Sequence, residues 1–405
     1  MSKRGFDMDF ELTEDEELFR KTVEEFCERK LRPRSQEIDE KEEIPHEVLK
    51  GMSELGLLGV PIPEKYGGAG GSMMMTALAA IEVGKGDISM ATAVFYLLES
   101  GWSLILDKYG TEEAKQEVLP KVVKAQAFLG IATTEAGGGS DIANVKTTAV
   151  KKGNHYVFNG EKAFISCVKE ARKMGGGHLT IARTKPELGH KGMSFFYVPI
   201  NTKGIDITTY RDMGRMGIST GGISYNAAEI PAAYLLGHEN KGLYHLMDGF
   251  NAARTLVSAA CIGAAERALE VGMEYIGQRQ AFGRPIGKFE GVQFELADQY
   301  GQVEMAKLMV LKAASLIDKY GNDPAKASEI TRAATIAKLY APQVAFETVK
   351  KVMIWHGAAG YTKDLEIERG FRGVMSYMVG AEGALNVMRI ILGRELLGKD
   401  FIPYK

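Results

Sequence analysis

Hydrophobic residues recur with a helical period in the first and last parts of the chain and alternate with polar residues in the middle. Residues 9–30 predict an amphipathic helix with a capping box formed by Thr13 and Glu16. Helical periodicity continues to about residue 125, interrupted by the Pro- and Gly-rich loop 61–71. Short β-rich segments bounded by Gly, Asn or Pro follow over residues 126–240. The pattern predicts helices on both sides of a central β region.

The final part of the chain is helical again, and its periodic segments are long enough for a bundle. These segments cover residues 242–278, 286–320, 324–356 and 383–397. Helices and strands that segregate along the chain indicate the α+β class rather than alternating βα units. We therefore expect three domains: an N-terminal helical domain (1–125), a middle antiparallel β domain (126–240) and a C-terminal helical bundle (241–405). Within the β domain, residues 153–166 predict two strands joined by a turn at Asn159-Gly160.

Composition and charge narrow the function of the 405-residue chain. Its net charge of −2 offers no basic field for nucleic acid. The cysteines Cys27, Cys167 and Cys261 are widely spaced, which argues against a disulfide framework and a zinc site and suits a reducing compartment. The acidic start is unlike a signal or transit peptide, and no apolar run approaches the roughly 18 residues of a membrane span. We expect a cytoplasmic protein without a metal, a nucleic-acid partner or a membrane span.

Three Gly-rich motifs are each ambiguous alone. In TTEAGGGSD (133–141), the glycines let backbone N–H groups approach a phosphate or a planar heterocycle, although a simple turn explains them equally well. In RQAFGRPIGKFEGVQ (279–293), Arg279 and Arg284 either lie solvated in a helix-to-helix turn or face a pyrophosphate. His356, in the motif IWHGAAGYT (354–362), has no second ligand at metal-binding spacing, so a structural role is favoured.

Glu382 is the single charge within SYMVGAEGALNV (376–387). It can cap the helix predicted to begin near residue 383, where the helix dipole stabilises a carboxylate by about 0.3–1 kcal/mol. It can also be a carboxylate held in an apolar pocket, where desolvation raises the pKa of Glu toward neutrality and makes it a useful general base. The residues around Glu382 allow both interpretations.

The order of the motifs carries more information than any one of them. The succession TTExxxGSD, NGxKxFIS, RxxFGxPIxxFxxVQ, HGxxGY and a C-terminal Glu-Gly resembles the acyl-CoA dehydrogenase family over essentially the whole chain. The resemblance implies an N-terminal helical domain, a middle β domain and a C-terminal four-helix bundle, assembled as a homotetramer. It also implies bound FAD, α,β-dehydrogenation of an acyl-CoA thioester and transfer of the electrons to an electron-transferring flavoprotein.

The resemblance also assigns roles to residues. It makes Glu382 the base that removes the α-proton while the β-hydride passes to flavin N5, and it implies that the backbone N–H of the base binds the thioester oxygen. It implies substrate contacts at Ser140, Asn251, Arg254 and Gly383, and places Arg279 and Phe282 against the cofactor across a subunit interface. The full set of implied cofactor contacts is Ile131, Thr133, Thr134, Ser140, Phe164, Ile165, Ser166, Arg279, Phe282, Phe289, Gly357, Ala358, Ala384 and Asn386.

This chain departs from the family pattern around the base. The common Tyr-Glu-Gly-Thr is replaced by Ala381-Glu382-Gly383-Ala384, and Asn386 stands at a Gln position. Two further Gln positions hold Glu290 and Ile354, and Phe164 stands where Trp is common. One extra residue separates Arg372 from Glu382.

The substrate and the electron acceptor remain open at this stage. Relatives that take glutaryl-CoA carry an Arg in the pocket-lining helix, whereas residues 86–102 have no Arg, Lys or His, which disfavours glutaryl-CoA. Tyr96 and Trp102 either line a pocket for a bulky acyl group or belong to the core. The GAEGALN variant resembles a branch acting on alicyclic or aromatic acyl-CoAs, such as cyclohexanecarboxyl-CoA or benzylsuccinyl-CoA.

Two functions other than a dehydrogenase stay open. One is an acyl-CoA oxidase that uses oxygen, and the other is a non-catalytic flavin- or acyl-CoA-binding relative, although the intact Glu382 argues against the second.

Overall fold

Helices form the first part of the fold. A computed structural model describes residues 11–401. The predicted capping box is confirmed: Glu16 N–H donates to Thr13 Oγ1 (3.2 Å), and Thr13 N–H donates to the Glu16 carboxylate (2.9 Å). Residues 9 and 10 of the predicted helix lie outside the described residues. The helices are α1 (Glu14–Phe26), α2 (Ser35–Lys41), α3 (His46–Glu54), α4 (Met73–Gly86), α5 (Ala91–Tyr109) and α6 (Glu112–Val123).

A mixed sheet follows. Its strands are β1 (Phe128–Ala132), β2 (Thr148–Lys152), β3 (His155–Ser166), β4 (Gly176–Arg183), β5 (Met193–Pro199), β6 (Ile205–Thr209), β7 (Thr220–Pro231) and β8 (Leu235–Leu236). They lie in the order β6-β7-β3-β2-β4-β5-β8, with β1 also paired to β4. The prediction of a purely antiparallel sheet is wrong, because β1 and β4 run parallel. A parallel pair needs a long crossover, and here the chain passes through β2, β3 and helix α7 (Val168–Met174) before it returns as β4.

The predicted turn at Asn159-Gly160 is also wrong. β3 runs through this site as one strand, and the register with β7 shifts between Phe158 and Gly160, which marks a bulge. Gly160 has a φ of 135°, and a Cβ there would lie 2.7 Å from Thr147 Cα. The Asn-Gly pair therefore lets another chain segment approach closely. The actual two-residue turn between β2 and β3 is Gly153-Asn154, with Gly153 at a φ of 60°.

Three long and two shorter helices form the C-terminal helical domain. They are α8 (Gly242–Gln278), α9 (Glu290–Tyr320), α10 (Ala327–Trp355), α11 (Glu366–Val379) and α12 (Leu385–Leu397), and a small pair of strands, β9 (Gln280–Ala281) and β10 (Arg284–Pro285), follows α8. The periodicity did not predict α11. Gly370 and Gly373 weaken its helical signal, and they are required by packing: a Cβ on Gly373 would lie 2.3 Å from the Ser89 carbonyl oxygen.

The N-terminal helices pack tightly on the C-terminal domain through glycine. A Cβ on Gly84 of α4 would lie 2.3 Å from the Ala260 carbonyl oxygen, and one on Gly263 of α8 would lie 1.9 Å from the Ile81 carbonyl oxygen. This close approach fixes α4 against α8 and sets the position of α5, which packs on α8 and β1. Helices give way to strands, and strands to helices, near residues 125 and 240, and we keep those domain boundaries as a proposal. Within residues 11–401, no helix combines the length and apolar character of a membrane span.

We expect Gly263→Ala to lower the free energy of unfolding by about 1–3 kcal/mol, because the added methyl group must push α4 away from α8. Gly277→Ala on the same helix is the matched control. A Cβ there meets no atom within 4 Å, so the change should be neutral or stabilise by up to about 1 kcal/mol. Thermal unfolding of both variants checks the prediction, and equal stability would contradict the packing described here.

Candidate active site

A large cavity lies between the sheet and the C-terminal helices. Its volume is about 1120 Å³, at the upper end of the range for cofactor and ligand sites. The sheet side is formed by the end of β1, the loop after it and the end of β3. The helical side is formed by α5, α8 and the segment that joins α11 to α12. The walls therefore come from all three parts of the chain.

Eleven of the sequence-predicted site residues line this one cavity. Four of them come from α8 and from the segment between α11 and α12, and the other seven come from β1, the loop after it and the end of β3. They are Arg254, Glu382, Gly383 and Ala384 on the helical side, and Ile131, Thr133, Thr134, Ser140, Phe164, Ile165 and Ser166 on the sheet side. Motifs separated by about 250 residues of sequence thus converge on one site.

Seven other predicted residues lie elsewhere. Arg279, Phe282 and Phe289 are in the turn between α8 and α9, and Gly357 and Ala358 are in the 3₁₀ turn after α10. Asn251 is turned toward α10, where its amide donates to Thr331 Oγ1 (3.2 Å), and Asn386 is exposed on α12.

The two distal turns lie at the same end of the helical domain. The Arg279 N–H donates to the Tyr275 carbonyl (2.8 Å), and the Tyr275 ring stacks on the His356 ring at 4.0 Å. Phe282 is 95% exposed in this chain. These residues lie near one another and outside the cavity of their own chain. His356 is buried, and its Nδ1 lies 2.8 Å from the Val352 carbonyl oxygen, as expected for a structural histidine.

A buried ion pair anchors the Gly-rich loop that follows β1. Lys162 on β3 donates to the Glu135 carboxylate (2.9 Å) and to the Thr133 carbonyl oxygen (3.2 Å). The same carboxylate accepts hydrogen bonds from the backbone N–H groups of Lys146 (2.6 Å) and Thr147 (2.9 Å). Burial acts to raise the pKa of Glu135, but Lys162 and these hydrogen bonds outweigh it and lower the pKa. The loop is thereby fixed, while Gly138 lines the cavity and a Cβ there would meet no atom within 4 Å.

Phe164 stands at the sheet edge of the cavity in an unusual conformation. Its φ is 58°, and the register between β3 and β7 shifts again between Lys162 and Ile165. The side chain is 67% exposed, and its ring lies 5.2 Å from the ring of Tyr210. The bulge therefore turns an aromatic ring out of the strand at the rim of the cavity.

Glu382 lies in a short loop with left-handed backbone. Ala381 and Glu382 have φ values of 54° and 51°, followed by Gly383 at 110°. Helix α12 begins after this loop, at Leu385, and has no side-chain cap, so the helix-cap interpretation of Glu382 is wrong. No residue in the described part of the chain donates a hydrogen bond to its carboxylate, which instead lines the cavity.

Burial dominates the electrostatics of Glu382 and raises the pKa of its carboxyl to about 7. Arg254 and Lys338 oppose this effect. The Arg254 Nε donates to the Glu382 carbonyl oxygen (3.1 Å), and burial lowers the pKa of this guanidinium to about 10. The site thus holds a carboxyl group that changes its charge near neutral pH, next to buried cations.

Sequence reasoning missed several residues of the site. Arg215, Tyr377 and Arg394 line the cavity, and Lys338 lies behind the Glu382 loop. A lysine within the Ala-rich apolar stripe of α10 is a signal that was available in the sequence. Of the two interpretations left open for Tyr96 and Trp102, the structure supports the core, because both are fully buried and neither lines the cavity. Trp102 packs edge-on against Phe195 and Phe250, at 6.4 and 5.9 Å between ring centroids.

We expect Glu382→Gln to stabilise the protein more at pH 8 than at pH 5. The folded-state pKa of Glu382, about 7, exceeds the ordinary value of 4.5, so folding favours the protonated carboxyl. Stability is therefore lost as the pH rises through about 7, and the amide removes that loss. The difference between the thermal unfolding midpoints of variant and wild type should be about 1–3 °C larger at pH 8 than at pH 5. Glu395→Gln, on α12 and outside the cavity, is the control. An identical difference at both pH values would contradict the raised pKa of Glu382.

Comparisons with known proteins match the whole architecture. The models for the N-terminal, middle and C-terminal domains of acyl-CoA dehydrogenase match residues 13–126, 130–228 and 240–397. The crystal structure of butyryl-CoA dehydrogenase from Megasphaera elsdenii is 30% identical, with a TM-score of 0.89 over 96% of this chain and 100% of that one.

Three curated relatives cover nearly all of the chain. The probable acyl-CoA dehydrogenase YngJ of Bacillus subtilis is 35% identical over 96% of this chain and 100% of its own length. Cyclohex-1-ene-1-carbonyl-CoA dehydrogenase of Syntrophus aciditrophicus is 33% identical over 96% and 91%. Subunit CarC of the caffeyl-CoA reductase-Etf complex of Acetobacterium woodii is 31% identical over 96% and 99%. On the fold, the site and these matches, the chain belongs to the acyl-CoA dehydrogenase family.

Proposed function

We propose that the protein dehydrogenates an acyl-CoA thioester between its α and β carbons and that Glu382 is the catalytic base. The observation that carries this proposal is the carboxylate of Glu382, which faces the cavity without a hydrogen-bond donor among the described residues and whose pKa burial raises to about 7. A desolvated carboxylate is a stronger base than one in water, and with this pKa it is ionised in a large fraction of molecules at neutral pH.

The backbone beside the base supplies a second element. An α-proton of a thioester is a weak acid, so the oxygen that gains negative charge must be stabilised as the proton leaves. The N–H of Glu382 makes no backbone hydrogen bond within residues 11–401, and we assign to it the contact with the thioester oxygen. Arg254 donates to the carbonyl oxygen of Glu382 and so binds the next peptide unit of the same loop.

FAD is the cofactor of this family, and the residues present fit it. Two polar atoms in the cavity wall, Nε of Arg215 and the hydroxyl of Tyr377, are buried without a partner among the described residues, as expected where a polar ligand completes a site. The sheet residues Ile131, Thr133 and Ser166 would hold the cofactor in this cavity. When bound, FAD supplies the acceptor for the β-hydride.

We propose assembly as a homotetramer, as in the family, and the distal residues support contact with a neighbouring subunit. Arg279, Phe282 and Gly357 lie outside the cavity of their own chain, and the exposed ring of Phe282 leaves them accessible to the cofactor of a neighbouring subunit. We further propose an electron-transferring flavoprotein as the partner, because the relative CarC belongs to a complex with Etf. A cytoplasmic location remains part of the proposal, and the three unpaired, buried cysteines support it.

The cavity wall supports an apolar acyl group. Val94, Leu97 and Leu98 of α5 face Met247 and Phe250 of α8 across the helical side of the cavity. No charged side chain of α5 lines it, and Glu99 of this helix is buried away from the cavity. Asp87, which precedes α5, accepts a hydrogen bond from Ser35. We propose an apolar acyl-CoA, including alicyclic or aromatic ones, and the relative named cyclohex-1-ene-1-carbonyl-CoA dehydrogenase supports this class.

We expect Glu382→Gln to bind FAD and acyl-CoA normally and to lose turnover by about three or more orders of magnitude, because the amide cannot accept the α-proton. The measurement is anaerobic reduction of the bound flavin by an acyl-CoA that reduces the wild type, with cofactor content checked by absorbance. Glu395→Gln should keep wild-type rates. Turnover close to wild type in Glu382→Gln would rule out the proposed base.

We expect acyl-CoAs with an apolar acyl group to reduce the bound flavin and those with a charged acyl group not to reduce it. Butyryl-, cyclohexanecarboxyl- and aromatic acyl-CoAs should include the substrates that bleach the flavin under anaerobic conditions. Glutaryl-CoA should not, since its distal carboxylate would lose hydration against an apolar wall. Rapid reduction by glutaryl-CoA would contradict the proposed substrate class.

Admitting air after bleaching tests the electron acceptor. Slow reoxidation of the flavin is expected for a dehydrogenase, and fast reoxidation would favour the oxidase alternative.

A further inference from the structure

Lys338 is a buried cation that the proposed mechanism does not use. It lies on α10, is fully buried, and its neighbours along the helix are largely alanine and other apolar residues. Its Nζ donates to the Tyr377 carbonyl oxygen (3.0 Å), the one hydrogen bond that it makes within residues 11–401. An ammonium group carries three donors and is costly to bury without an opposite charge nearby. Some other group must therefore compensate Lys338.

The carbonyl that Lys338 binds is at the start of the catalytic loop. Tyr377 is in the last turn of α11, where carbonyl oxygens have no partner within the helix. At the other end of the loop, Arg254 donates to the carbonyl oxygen of Glu382 (3.1 Å). Between these points Ala381 and Glu382 hold a left-handed backbone, which costs non-glycine residues about 1–2 kcal/mol each. The loop keeps this strained form because a buried cation binds it at each end.

The charged and titratable groups around Glu382 come from four helices. Arg254 on α8 and Lys338 on α10 act on its carboxylate, and both lower its pKa against the effect of burial. Tyr377 on α11 lies within the electrostatic range of Glu382, and Arg394 on α12 acts on Arg254. Burial lowers the pKa of Lys338 to about 8, while the carboxylate of Glu382 favours its charged form and Arg254 opposes it. The neighbouring thiol of Cys261 on α8 is uncharged at neutral pH, because burial raises its pKa to about 12. Lys338 and Glu382 therefore stabilise each other's charged state.

We infer that Lys338 is a positioning residue for the dehydrogenation: it holds the start of the Glu382 loop and supplies the positive charge that keeps the base ionised. The inference rests on the proposed role of Glu382. The two cations have different roles. Arg254, in the cavity wall, binds the carbonyl oxygen of Glu382, whereas Lys338 binds the Tyr377 carbonyl oxygen at the end of α11.

The experiment compares the FAD-loaded wild type with Lys338→Met and Lys338→Arg. Methionine keeps the length of the side chain and removes the charge, so the acid limb of the rate of flavin reduction should move up by about one pH unit. The rate at pH 7 should fall roughly fivefold, with the KM for acyl-CoA changed by less than about threefold. Lys338→Arg should restore most of the pH profile. Lys307→Met is the control, because Lys307 on α9 pairs with Glu266 (2.8 Å) and not with Glu382.

A second measurement keeps the test independent of turnover. The carboxyl band of Glu382, identified in infrared difference spectra by its loss in Glu382→Gln, should titrate at higher pH in Lys338→Met than in the wild type. An unchanged midpoint would overturn the inference, even if the rate falls. The flavin of the wild type could instead fail to be reduced by any acyl-CoA while Lys338→Met still shows the infrared shift. That result would reject the proposed function and retain the link between Lys338 and Glu382. If Lys338→Met does not fold, Lys338→Gln replaces it, with the same expected shift.

Discussion

The proposed function requires the fold to remove one carboxylate, that of Glu382, from water while keeping that carboxylate able to ionise. Burial alone would keep Glu382 protonated, because a charge that leaves water loses its hydration. Buried cations alone would make it a weak base. The structure balances the two, with the pKa raised by burial to about 7 and held down by Arg254 and Lys338. Both cations are on long helices of the C-terminal domain, so the helical core sets the chemistry of the loop.

The other wall of the cavity depends on packing farther away. Close contact between α4 and α8 at Gly84 and Gly263 sets where α5 lies, and α5 supplies an apolar face to the cavity. On the sheet side, the buried pair of Glu135 and Lys162 fixes the loop after β1. Removing one member of such a pair leaves an uncompensated buried charge, which costs about 3–5 kcal/mol. Both sides of the site are thus held by buried contacts, and left-handed residues occur at the sheet edge, at Phe164, and in the short loop that bears Glu382.

Much of this arrangement could be predicted from the sequence. The succession of helices, strands and helices and the capping box at Thr13 follow from local patterns. The convergence of residues from the TTEAGGGSD, NGEKAFIS and AEGA motifs was implied by the resemblance to the acyl-CoA dehydrogenase family. The errors arise where distant contacts override a local preference. An Asn-Gly pair favours a hairpin turn, but Gly160 serves the close approach of Thr147. Gly370 and Gly373 weaken the helical pattern of α11 because their lack of a side chain is needed by the helix's neighbours.

Residues whose role depends on spatial neighbours could not be assigned from local sequence. Lys338 is 44 positions from Glu382 in sequence, and one helical residue does not reveal which loop it supports. Tyr96 and Trp102 share a segment with the cavity residues Leu97 and Leu98, but the helix turns them into the core. The residues of the α8–α9 turn do not line the cavity of their own chain, so their role as cofactor contacts depends on the proposed assembly with a neighbouring subunit.

The most direct test of the central claim is the pH dependence of the first chemical step. Stopped-flow reduction of the bound flavin by an acyl-CoA, with protium or deuterium at the α-carbon, reports on removal of the α-proton. The account predicts a rate that rises with pH through an apparent pKa near 7 and a slower reaction of the α-deuterated substrate on that limb. A flat profile between about pH 5.5 and 8.5, without an isotope effect, would contradict Glu382 as a base whose ionisation governs the reaction.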